Sequence, residues 1–160
     1  MAKGSGIICS AEPGGVRLEG TISGALKPGT IVQKKAGTAP VGGRFTYEAY
    51  NPAADGNQRP IYVLLPDELQ GKLATDAYTD GDRCFVYVPI AGEELNILAY
   101  AAGTASDDAV AIGDLFIVDK GTGHLVATTG TPESEPFEAN EAITDLTSTA
   151  ELVWMTYTGY

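Results

Sequence analysis

Short apolar segments, broken at close intervals by glycine, proline or aspartate turns, constrain this chain more than any other feature. Gly fills 20 of 160 positions and Pro 9, so turns are many and long helices have little room. Val16-Arg17-Leu18-Glu19 alternates apolar and polar residues, and Ile31-Val32 follows the turn Lys27-Pro28-Gly29. From Arg44 to Tyr50 the alternation puts Phe45, Tyr47 and Ala49 on one face and Arg44, Thr46 and Glu48 on the other. Further strands are expected at 61–65, 84–90 with Pro89 marking an end, 96–101, 115–118, 124–128 and 152–157. Such a series reads as a mostly β chain, a small antiparallel β-barrel or β-sandwich. Its organisation is expected to be an extended N-terminal arm over 1–15, flexible when free, and a single β-rich domain over 16–160. No internal repeat is visible.

Two stretches compete for helix. Residues 66–75 hold a proline and acids that suit one turn, which Gly71 would stop. Over 137–146, Ala139, Ala142, Ile143 and Leu146 keep helical spacing, while Phe137, Ala139, Glu141 and Ile143 alternate, so periodicity leaves both open.

The net charge of −11 is unevenly spread. Residues 1–80 carry eight acids and eight bases, whereas 81–160 carry thirteen acids against Arg83 and Lys120. Nucleic acid is not an expected partner, because phosphate contacts need clustered Lys and Arg. No window approaches the apolar length of a membrane span, and the N-terminal residues lack the apolar core of a signal peptide. Cys9 and Cys84 have no metal-site spacing and are expected as reduced thiols, Cys84 packed in a strand.

Nothing in the chain assembles an enzyme motif, and no catalytic residue, cofactor or metal site is expected. The single histidine, His124, follows the turn Gly121-Thr122-Gly123 without a nucleophile elbow. The acidic run Asp76–Asp82 lacks the order of a calcium loop and reads as turn chemistry. Trp154 reads as core. Tyr47, Tyr50 and Arg59 flank or occupy the loop 51–60, and Tyr and Arg are favoured at protein interfaces. In the arm, Ile7 and Ile8 offer an apolar anchor.

The second half carries a longer pattern. Gly92-Glu93-Glu94-Leu95-Asn96-Ile97-Leu98 precedes Ile112-Gly113-Asp114-Leu115-Phe116-Ile117-Val118-Asp119 and Gly123-His124-Leu125-Val126, and the chain closes on Ala150-Glu151-Leu152-Val153-Trp154-Met155. Over roughly residues 85–157 this resembles the small β-rich capsid decoration, or cement, proteins of tailed bacteriophages. The resemblance implies a structural protein on the outer capsid surface of the virion, made in the host cytoplasm, that stabilises the shell across subunit seams. It implies the major capsid protein as partner, self-association as trimer or dimer, and strand rather than helix over 137–143. The expected contact residues are Ile7, Ile8, Lys34, Lys35, Arg44, Tyr47, Tyr50 and Arg59, with the lysines and arginines steering onto an acidic shell. The alternative is a ligand- or glycan-binding β-module on a phage or cell surface.

Overall fold

The computed structural model describes residues 16–51, 60–101, 108–127 and 137–159, and among them almost every element is a strand. The first five strands are β1 (Val16–Ile22), β2 (Ile31–Lys34), β3 (Phe45–Ala49), β4 (Tyr62–Leu65) and β5 (Arg83–Val88). They close into a barrel in the order β1-β3-β2-β4-β5, with β1 and β3 parallel and the other pairs antiparallel. A second barrel follows from β6 (Glu94–Tyr100), β8 (Leu115–Val118), β9 (Leu125–Ala127), β10 (Phe137–Ala139) and β12 (Glu151–Tyr157), in the order β10-β12-β6-β9-β8. Inserted among the strands of the second barrel, β7 (Asp108–Val110) and β11 (Ile143–Leu146) form a two-stranded ribbon.

The two barrels are the same fold repeated, register for register. If β6, β8, β9, β10 and β12 stand for β1 to β5, every pairing and direction is reproduced, including the parallel one. Ile22 faces Tyr47 as Ala99 faces Leu125. Val32 faces Tyr62 as Phe116 faces Phe137, and Leu64 faces Val86 as Ala139 faces Met155. Gly20 faces Cys84 as Ile97 faces Val153. The inward positions of both barrels are buried throughout this set, as expected of small barrels filled by their own side chains.

Side-chain size is redistributed between the copies. In the first barrel Gly20 leaves room for the Tyr47 ring, and a Cβ there would sit 2.6 Å from the Phe45 carbonyl oxygen and closer still to that ring. In the second, the same two positions hold Ile97 and Leu125, so the branched pair fills the space taken by one ring. Leu64 with Val86 becomes Ala139 with Met155, again one large and one smaller residue across a strand pair. Close-packed cores tolerate such exchanges when total volume is kept.

The barrels join through a shared apolar core. The side chains of β2, β4 and β5 that point away from the first interior, Ile31, Val63 and Tyr87, are at most 1 % exposed and cluster with Leu95, Phe116, Phe137 and Met155 of the second. Burying such a side chain is worth about 1.5–3 kcal/mol. Backbone bonds lock the junction: the Ile31 amide donates to the Gly123 carbonyl at 2.7 Å, Gly121 to Tyr50 at 3.0 Å and Leu98 to Gly29 at 3.0 Å.

The strand expectations hold, and residues 66–75 contain only a 3-10 turn at Glu68–Gln70, ended by Gly71 at φ +68°. Residues 137–146 resolve to β10, a turn and β11 rather than helix. Two readings need correction. The chain does contain a repeat, at the level of strand pairing. Trp154 is not core: Val153 and Met155 point inward on β12, so strand alternation turns Trp154 outward, 38 % exposed.

Candidate docking surface

The two barrels share their architecture but not the fate of one end. In each, that end is formed where the second strand leaves and the third enters. In the second barrel it is covered. The β8–β9 turn supplies the Gly121 and Gly123 bonds to Tyr50 and Ile31, and Glu93 accepts a hydrogen bond from the Tyr87 hydroxyl. Gly123 has φ +69°, and its missing side chain lets the Ile31 backbone lie directly against it.

In the first barrel the matching positions are Phe45 for Gly123 and Val16 for Glu93, counting from the registers above. Neither is covered by the described residues. Val16 is 57 % and Phe45 36 % exposed, and Val41, in the longer β2–β3 connection, is 80 % exposed. One cation, Lys34, stands at this rim, and others lie on the outer wall of the barrel. Lys34 occupies the inward position held by Val118 in the second barrel, and its ammonium lies 3.8 Å from the Phe45 ring centre and 5.8 Å from that of Tyr62. A lysine can serve there because its stem covers the rings while its head stays at the rim; the cation–ring contact adds about 0.5–1 kcal/mol. Lys35 donates to the Ser23 hydroxyl at 2.9 Å, and Arg44 pairs with Glu19 at 2.9 Å. Beside them on β1, the Arg17 guanidinium sits 3.9 Å over the Phe85 ring, with Arg83 at 5.4 Å on the same ring.

The structure therefore brings Lys34 and Arg44 to one end of the first barrel, with Lys35 at the start of the same connection. Tyr47 and Tyr50 do not belong to that surface. Tyr47 is fully buried in the first interior, edge-on to Tyr62 at 5.3 Å, and Tyr50 is 7 % exposed in the shared core. As contact residues both are corrected: the alternation that made Tyr47 conspicuous points it inward. Ile7, Ile8 and Arg59 lie outside the described residues. Sequence reasoning missed Phe45 and Val16. The signal was present, since Val16 alternates with Arg17 and Phe45 opens the best-alternating strand, but only closure of the barrel shows which strand ends meet.

Other chemically suggestive residues have structural roles. Burial of Cys84 inside the first barrel pushes its thiol up to about 12, which removes it as a nucleophile. Within the acidic run, Asp76 and Asp82 accept the Leu73 and Thr79 amides three residues back, and Asp80 accepts Gly24 at 2.9 Å. Asp67 is 3 % exposed. Burial raises its pKa, but bonds from Gln70 and the Arg83 guanidinium outweigh this and hold it below the usual carboxylate value. His124 is half-buried, edge-on to Tyr100, and burial lowers its pKa against the opposing pull of Asp119.

Charge follows the barrels. Residues 16–88 hold eight acids and eight bases, and 94–157 hold eleven acids and Lys120 alone, so the first barrel is neutral and the second carries −10.

No protein-family profile matches the chain, and no curated protein sequence matches it. The fold is nevertheless shared with a solved structure. The N base of the head fiber protein gp8.5 of bacteriophage phi29 superposes with a TM-score of 0.51, covering 89 % of this chain and 93 % of that one at 15 % identity. At that identity the likeness is one of fold.

Proposed function

We propose that the chain is a structural protein of a tailed-phage head, seated on the outer surface of the shell and reinforcing it by bridging capsid subunits. The observation that carries this is the shared fold: 89 % of the chain matches the N base of a phage head fiber protein. The physical design agrees. Two filled barrels welded by Ile31, Val63 and Tyr87 make a rigid block, which suits a part that must hold shape rather than move. Modest energy per copy suffices when the contact repeats over a lattice. On this reading the partner is the major capsid protein, the chain is not an enzyme and it needs no cofactor. The sequestered Cys84 and the amide-bound aspartates give a catalyst little to work with.

Recombinant chain mixed with DNA-free heads of the phage that encodes it should co-sediment at a fixed stoichiometry, and the decorated heads should resist heat better than bare ones. Decoration without added heat resistance would leave a head protein that does not cement. Failure to co-sediment would sink the reading. The glycan-binding alternative draws on the exposed Trp154 indole; it would be favoured if a glycan array gave binding that Trp154→Ala abolished.

A further inference from the structure

We propose that the open end of the first barrel, centred on Phe45, is a docking site for an acidic protein surface that carries a protruding apolar side chain. This rests on the head-protein reading, under which that surface belongs to the shell.

The chain supplies its own template for what such an end accepts. In the second barrel the corresponding end takes an apolar strand face, with Ile31 set on Gly123 and the Tyr87 hydroxyl bound to Glu93. The first barrel repeats that end register for register, yet leaves Val16, Phe45 and Val41 exposed around it. Apolar side chains grouped at one rim mark an interaction site more than scattered ones do.

A second copy of the chain is not the favoured occupant. The strand face that fills the second barrel's end is already used within the molecule. Its counterpart on the second barrel replaces Val63 with Glu138 and Tyr87 with Thr156, and Leu115 stands for Ile31. Such a face cannot supply the same apolar seat, so the stacking stops after two barrels.

Charge defines the partner further. Lys34 stands at the end itself and Arg44 on the outer wall beside it, where among the described residues it pairs with Glu19; Lys35 and Arg17 lie on the outer wall, bonded to Ser23 and stacked on Phe85. An approaching acidic surface is steered by the cations, and complementary charge acts mainly on the rate of association. An apolar side chain entering beside Phe45 would then be sealed by the Lys34 stem.

The test uses DNA-free heads and full-length chain. Phe45→Glu should weaken head binding about tenfold or more, as a central apolar anchor does. Lys34→Glu should slow association and flatten its salt dependence. Leu69→Glu, at a 93 % exposed position on the 3-10 turn at the opposite end of the barrel, should bind as the parent does. Circular dichroism and melting temperature guard against misfolding, and Phe45→Ser provides a second, milder variant. If the parent binds heads and both Phe45 variants bind equally well, this site is wrong while the head-protein reading stands. If the parent does not bind at all, both fall. A free chain that self-associates until Phe45→Glu disperses it would assign the end to a second copy and overturn the proposal.

Discussion

Adding one methyl group at Gly20 tests the packing logic of the repeat most sharply. In Gly20→Ala the new Cβ would sit 2.6 Å from the Phe45 carbonyl oxygen, and Gly20 and Phe45 are locked opposite each other in the parallel β1–β3 pair. The backbone cannot yield without breaking that pair, and the Tyr47 ring occupies the remaining space. Overpacking of this kind costs about 3 kcal/mol. At about 2–4 °C per kcal/mol for a chain of this size, the melting temperature should fall by about 6–12 °C. Tyr47→Leu alone should also destabilise, by about 2–4 kcal/mol, through the cavity left by the ring. The second barrel manages with Ile97 and Leu125 at these positions, so the double variant Gly20→Ala, Tyr47→Leu should be more stable than the sum of the two losses. A coupling of about 1–2 kcal/mol is expected. Urea unfolding followed by tyrosine fluorescence and circular dichroism would measure it. Strict additivity would refute the claim that the two barrels solve one packing problem with exchanged volumes.

Other outcomes follow from the same geometry. Tyr47→Phe should keep or raise stability by about 1 kcal/mol, because the Tyr47 hydroxyl is buried with no hydrogen-bond partner among the described residues; thermal melts would show it. Val63→Asp should destabilise by about 3 kcal/mol or more by burying a charge in the shared core, whereas Glu138→Asp, its counterpart on the second barrel, should change little, as paired urea titrations would reveal. Because burial lowers the pKa of His124 below its ordinary 6.5, the unfolded chain binds its proton first. Stability should therefore be unaffected by His124 above that value and fall as pH drops through it, and His124→Gln should remove this part of the slope.

Much of the fold was legible from residues alone. Alternation over Arg44–Tyr50 fixed the faces of β3, and the Gly-rich turns announced short strands. The repeat was hidden for two physical reasons. Loops of unequal length shift the counterparts, so Ile22 to Ala99 spans 77 residues, Val32 to Phe116 spans 84 and Cys84 to Val153 spans 69, leaving no fixed period. Cores constrain summed volume rather than identity, so Gly20 and Tyr47 match Ile97 and Leu125 without resembling them. Trp154 is turned outward by the alternation that Val153 and Met155 set, although a lone tryptophan in a closing strand reads as core. The docking end was only half legible. The cations at 34, 35 and 44 stand out in the sequence, but its apolar centre is assembled from β1, β3 and the β2–β3 connection, which only closure brings together.

On the proposed function, the double barrel would sit on a phage head through its neutral first barrel, with the acidic second barrel held away by its charge. A cryo-electron microscopy map of decorated heads tests this directly. Density for the chain is expected on the outer shell, with the end bearing Lys34 and Phe45 against capsid protein and residues 94–157 facing solvent. A map in which the second barrel forms the main contact, or in which heads carry no such density, would contradict it.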